Sequence, residues 1–239
     1  MTLPVPPSGA TPATGGTEAT DGAAGGPEDP RAPSEVVAAL TALAACGPEI
    51  TPGTRLVCVD GLAGAGKTTL AERLRAAWAD AGADVAVVHL DDLYEGWTGL
   101  LDVGQTVLRE VVDPLAAGRD GQARRWDWIE GGWRGHVRVP RCAVVILEGC
   151  GSAPRGVDDV AALVVRVVAP DDVRLARGIA RDGEALEASW RAFMADEATL
   201  EAREGTTARA DVVLDERGAV VRWGGGRPWP DRVHEPPAS

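Results

Sequence analysis

Gly61-Leu62-Ala63-Gly64-Ala65-Gly66-Lys67-Thr68-Thr69 is the stretch from which the rest of this 239-residue chain is read. It matches G-x-x-x-x-G-K-[ST], a loop whose backbone N–H groups close on phosphate oxygens while the lysine reaches the terminal phosphates. Lys67 is also the chain's only lysine, since the other 23 of its 24 basic side chains are arginine. An ammonium is a compact point charge that fits between two phosphates, whereas a guanidinium is a wide planar fork. Gly61, Ala63, Gly64, Ala65, Gly66, Lys67, Thr68 and Thr69 therefore read as the cradle of a nucleoside triphosphate.

The flanks agree with that reading. Arg55 to Val59 is a short apolar, partly β-branched run expected to be a buried strand, and Thr68 to Ala81 carries Leu70, Leu74, Ala77 and Trp78 at helical spacing. Strand, glycine loop and helix together aim backbone N–H groups and a helix N-terminus at an anion. Further apolar runs follow at Asp84–Leu90, Ala143–Leu147, Ala162–Val168 and Ala210–Leu214, with a short edge strand expected at Ala219–Arg222. Helices are expected at Ser34–Ala45, at Val103–Ala117, and over Asp171–Leu200 with a break near Asp182-Gly183. The stretch from Gly118 to Pro140 is polar, rich in Trp and weakly periodic.

Alternating strands and helices predict a three-layer α/β/α fold with a mainly parallel five-stranded sheet. Residues 34–222 form the expected single domain, between a disordered tail at 1–33 and a loose C-terminal tail at 223–239. In such sheets ligands bind outside the carboxyl ends of the strands. Gly61, Asp91 and Glu148 each follow or close a predicted strand, which points to one shared site.

The net charge of −12 argues against a nucleic-acid partner or an anionic membrane surface. The four cysteines show neither C-x-x-C nor zinc spacing, so they read as reduced thiols in a cytoplasmic protein. No apolar run is long enough to span a bilayer, and no signal pattern opens the chain. Homo-oligomers remain open at this level.

The phosphates imply magnesium, and Thr68 is placed by the motif to offer it a hydroxyl while Glu148 offers a carboxylate. Asp91 or Asp92 is suited to accept the proton of an attacking hydroxyl. Arg174, Arg177 and Arg181 recur at i, i+3 and i+7, so one helix face carries a local basic cluster able to neutralise a transferring phosphoryl group. Trp97, Trp126, Trp128 and Trp133 read equally well as a slot for a ring-shaped acceptor or as packing. His89, inside an apolar run, reads as a core histidine.

With these residues in hand, the chain resembles the uridine kinase and phosphoribulokinase branch of P-loop kinases from about Arg55 to Leu214. His89-Leu-Asp-Asp-Leu-Tyr94 is similar to that family's D-x-F-Y segment. The resemblance implies that Asp91 is the general base and that Tyr94 lines the acceptor pocket. Trp126-Asp127-Trp128 is similar to the family's Y-D-[FWY] segment, which implies acceptor contacts by Trp126 and Asp127. Val145-Ile-Leu-Glu-Gly149 resembles the strand bearing the magnesium-linked glutamate. Arg174-Leu-Ala-Arg177 with Arg181-Asp182 resembles the R-L-x-R…R-D lid, implying transfer roles for Arg177 and Arg181 and a substrate contact for Arg174. Ala210-Asp-Val-Val-Leu214 resembles the closing strand.

The resemblance implies an ATP- and magnesium-dependent kinase acting on a small hydroxyl compound, a uridine- or cytidine-like nucleoside being favoured. The family's Tyr before that Asp is Trp126 here, and the following His has no counterpart among Ile129, Glu130, Gly131 and Gly132. The competing expectation is a nucleotide-dependent switch or assembly ATPase without a small-molecule acceptor. A GTPase's N-K-x-D is unavailable because Lys67 is the sole lysine, and no L-S-G-G-Q-like signature is present. A third is a degenerate kinase that binds nucleotide without turnover.

Overall fold

The structure is a computed structural model, and it describes residues 34–224. The expected N-terminal tail lies outside the described residues, as does the C-terminal tail beyond Gly224. Helix α1 (Ser34–Cys46) leads into β1 (Arg55–Gly61), the phosphate loop, α2 (Lys67–Asp80) and β2 (Val85–His89). A run of single helical turns then reaches α3 (Val103–Val107), a π-turn (Leu108–Val112) and α4 (Asp113–Ala116). The hairpin β3 (Gly121–Asp127) and β4 (Gly132–Val139) precedes β5 (Val144–Gly149) and β6 (Ala161–Val167). Last come α5 (Asp171–Asp182), α6 (Glu187–Glu204), α7 (Thr206–Arg209), β7 (Val212–Leu214) and β8 (Val220–Trp223).

Five strands lie parallel in the order β2-β5-β1-β6-β7, and β8 adds antiparallel to β7 as a sixth. This is the expected three-layer α/β/α sandwich. The period-two geometry of the strands divides the core between its faces. In β1, Leu56 and Cys58 join one cluster with the α3 region, the hairpin and α6, while Val57 and Val59 join the other with α1 and α2. β1 is central, with β5 on one side and β6 on the other, in register from Arg55 opposite Val144 to Gly61 opposite Val167. The chain leaves β1 toward β2 and later returns to β6 across it, so the phosphate loop sits where the strand order reverses.

Two expectations are revised. The single helix over 103–117 is interrupted by the π-turn, because Pro114 has no N–H to give the Glu110 carbonyl. The Trp-rich stretch is an antiparallel hairpin with a register shift between Arg124 and Trp126, and it makes its own two-stranded sheet. Ala123 and Val139 are among its few buried side chains, too sparse a pattern to show a strand period.

Candidate phosphate-binding and transfer site

The loop is shaped by close packing at its entry. Gly61 has φ +154, and a Cβ there would stand 2.3 Å from the Val167 carbonyl oxygen, so no other residue fits between β1 and β6. Gly66 is the N-cap of α2 and brings no side-chain cap, which leaves first-turn N–H groups for an anion. Lys67 is buried, and its Nζ donates to the Leu62 carbonyl at 3.0 Å and lies 3.6 Å from Cys150 Sγ. Burial by itself would lower the ammonium's pKa, yet the pKa is raised, because Cys150, Glu148, Asp91 and Glu197 surround it with negative potential. Burial pushes the Cys150 thiol well above its ordinary range, so at neutral pH the carboxylates supply that field. Lys67 is thus a permanent cation in a nest of acidic groups, a position that an incoming phosphate would neutralise.

Beside it, Thr68 Oγ1 donates to Glu148 Oε1 at 3.1 Å, and Glu148 is fully buried at the end of β5. Glu148 Oε2 shares a 2.7 Å hydrogen bond with His89 Nδ1, which fixes the carboxylate from behind and raises the imidazole's pKa. A hydroxyl and a carboxylate are hard oxygen donors. They fit magnesium, which takes one or two protein oxygens and completes its shell with phosphates and water. No cluster of three or more acidic, His or Cys side chains able to hold a metal occurs among the described residues.

Asp91 follows β2 on a short helical turn and is buried. Its Oδ1 accepts a 2.6 Å hydrogen bond from the Tyr94 hydroxyl, and Trp128 Nε1 donates to its backbone carbonyl at 3.0 Å. Its Oδ2 is buried and has no hydrogen-bond partner among the described residues. A buried carboxylate oxygen left unpaired is costly, on the order of 1–3 kcal/mol or more for a charged group. Asp92 next to it is half-buried, and desolvation raises its pKa.

The arginines separate in role. Arg177 lies over the loop and donates to the Gly64 carbonyl at 3.0 Å. Arg181 makes a two-pronged pair with Asp182 at 2.7 and 2.9 Å and sits 5.6 Å from the Trp190 ring centroid. Arg174, expected to touch substrate, is buried, with Nη1 donating to the Ala63 carbonyl and to Glu197 and Nη2 to Asp171.

Asp127 Oδ1 accepts the N–H groups of Ile129 and Glu130 and so closes the hairpin turn. Trp126 stacks edge-on against Trp133 at 5.3 Å within the hairpin. Trp97 and Trp128 are packing, part of a cluster with Tyr94, Trp190 and Phe193. A cavity of about 280 Å³ is walled by Tyr94, Glu95, Asp102, Arg109, Arg124 and Trp133. Arg124 covers the Trp133 ring at 4.4 Å.

No protein-family model and no curated protein matches the sequence. Solved structures do match. A protein described as a possible uridine kinase from Bacillus stearothermophilus superposes with TM-score 0.56 at 20% identity, over 76% of this chain and 98% of that one. A protein assigned only provisionally as a fructose transport system kinase, from Silicibacter sp. TM1040, superposes with TM-score 0.52 at 21% identity, over 75% and 98%. The chain has the P-loop kinase fold.

Within that fold, sequence reasoning missed three groups. Glu197, on α6, is buried and accepts the Ala63 N–H at 2.5 Å. Arg166 occupies a buried position in β6, where Asp60 and Glu201 pair with it. The same Asp60 accepts the Ala153 N–H at 3.0 Å, tying the end of β1 to the turn after β5. His89 was read as core and instead supports Glu148. In the sequence the one available signal was a charge inside an otherwise apolar strand, as at Asp60 and Arg166.

Proposed function

We propose that this protein is an ATP- and magnesium-dependent kinase that moves the γ-phosphoryl group to a hydroxyl of a small metabolite, a nucleoside-like acceptor being favoured. The observation that carries the reading is the Asp91 carboxylate. Asp91 Oδ1 is held by Tyr94, and Oδ2 is left buried and open. Asp91 lies close enough to Lys67 to contribute to its field. A carboxylate in that state accepts a proton from an acceptor hydroxyl. Lys67 and the first-turn N–H groups of α2 hold the phosphates, Thr68 and Glu148 hold magnesium, and Arg177 and Arg181 steady the transferring group. Bound magnesium nucleotide supplies the phosphoryl group and neutralises part of its charge. All the other chemistry comes from positioned side chains.

The cavity beside Tyr94 supports a small polar acceptor, since about 280 Å³ is at the low end of small-molecule sites. Its walls of carboxylates, arginines and one indole suit a hydroxylated compound with a ring. The likeness to kinases of small metabolites supports the same class, although the acceptor differs between those structures. The acidic surface favours a cytoplasmic enzyme without nucleic-acid or membrane partners, and no described helix is long and apolar enough to cross a membrane.

The test is phosphoryl transfer from ATP or GTP with magnesium across nucleosides, sugars and sugar alcohols, for wild type, Asp91→Asn and Asp92→Asn. We expect Asp91→Asn to lose about 10²- to 10⁴-fold in kcat with nucleotide still bound, as for removal of a general base. Asp92→Asn should retain turnover. Acceptor-independent hydrolysis that is indifferent to Asp91 would instead favour the switch or assembly ATPase.

A further inference from the structure

Arg174 and Glu197 are each about 2% exposed, and both are spent on Ala63, on the two successive peptide units that meet at its Cα. Glu197 Oε1 accepts the Ala63 N–H at 2.5 Å, and Arg174 donates to the Ala63 carbonyl at 3.0 Å. The two side chains pair with each other at 2.8 Å, and Asp171 holds the second arm of Arg174 at 2.7 Å. The neighbouring carbonyls are taken as well, Leu62 by Lys67 and Gly64 by Arg177. Two successive peptides are thereby held from two different helices, Leu62–Ala63 through its N–H by Glu197 of α6 and Ala63–Gly64 through its carbonyl by Arg174 of α5.

A buried ion pair is weak evidence for stability, because desolvating both charges offsets most of their attraction. An apolar pair of similar volume would fill the same space. What an apolar pair cannot do is orient a peptide plane. Across a trans peptide the C=O and N–H point opposite ways, so holding the Ala63 carbonyl on Arg174 turns the Gly64 N–H to the other side, and a flip of that peptide would exchange the two.

We propose that Glu197 and Arg174 are positioning residues, a clamp that sets the two peptides meeting at Ala63 so that the loop is preorganised for the nucleotide. The clamp also joins the arginine helix to the loop it serves. This inference rests on the reading of Gly61–Thr69 as a nucleotide site and adds residues outside the motif to it.

Glu197→Asp keeps the charge that compensates Arg174 but is one methylene too short to hold both Ala63 and Arg174. We expect it to melt close to wild type and to bind Mg-ATP about tenfold or more weakly by calorimetry. The double variant Glu197→Gln with Arg174→Met removes both charges, so it should melt well above either single change while remaining weak in binding. Wild-type affinity in Glu197→Asp, or affinity regained along with melting temperature in the double variant, would overturn the clamp. If wild type itself bound neither Mg-ATP nor Mg-GTP, the nucleotide reading would fall and this inference with it.

Discussion

Lys67 and Asp91 illustrate how much a single residue's neighbours decide. The motif already marked Lys67, yet its raised pKa comes from carboxylates on three other elements. Residue chemistry alone leaves Asp91 and Asp92 equivalent and the resemblance favours Asp91; the structure distinguishes them physically, by leaving Asp91 Oδ2 buried and without a hydrogen-bond partner among the described residues. Asp92 carries its own prediction. Its folded pKa is raised above the ordinary 3.8, chiefly by burial, so its favourable contribution is complete only below that value and is lost as pH rises through the folded pKa. Asp92→Asn should therefore melt higher than wild type at pH 7, with the gap closing as the pH is lowered toward 3.8. A pH-independent gap in calorimetric melts would contradict this. Arg174 shows the limit of reading by residue. Its spacing with Arg177 and Arg181 was visible, but its partner Glu197 lies 23 positions on and on another helix. Helical periodicity says which face a side chain shares, not what meets that face.

Among the elements, α5 and α6 were legible because the break at Gly183 was, whereas their mutual packing was not. Gly178, in the middle of α5, looks like an ordinary weak point in a helix. In the fold, the Trp190 indole lies flat against it, and an added Cβ would stand 2.3 Å from Trp190 Cε2. Trp190 Nε1 donates to Asp182 at 2.9 Å, and Asp182 grips Arg181, so this packing sets where the lid arginine rests. On helix propensity alone Gly178→Ala should gain about 0.5–1 kcal/mol. Overpacking a rigid, fully buried ring costs about 1–3 kcal/mol, so the contact wins. We expect Gly178→Ala to be less stable than wild type in urea titrations, and a more stable variant would refute the packing account. The hairpin was the least legible element. Its strands are mostly polar on both faces, and β3 and β4 supply each other's hydrogen bonds across a turn made by the Asp127 side chain.

For the whole molecule, the order of elements was readable and the sheet order was not. Short apolar runs alternating with amphipathic helices are enough to require a covered parallel sheet. That β5 inserts between β2 and β1 depends on crossovers linking residues far apart in the chain. The result is that Gly61, Asp91 and Glu148, which close or follow β1, β2 and β5, converge at one edge. The molecule carries a net charge of −12, and it keeps its one lysine buried under the loop that would receive a polyanion. A ligand that binds only the folded state stabilises it by RT ln(1 + [L]/Kd), about 2.7 kcal/mol at a hundredfold excess over Kd, and so raises the melting temperature. Magnesium nucleotide should therefore stabilise wild type, and Lys67→Met should abolish the effect. The most direct measurement is calorimetric titration of Mg-ATP and Mg-GTP into folded wild-type protein and into Lys67→Met. The account predicts saturable one-to-one binding of at least one nucleotide to wild type and none to the variant. No heat with wild type, or equal binding by the variant, would contradict it.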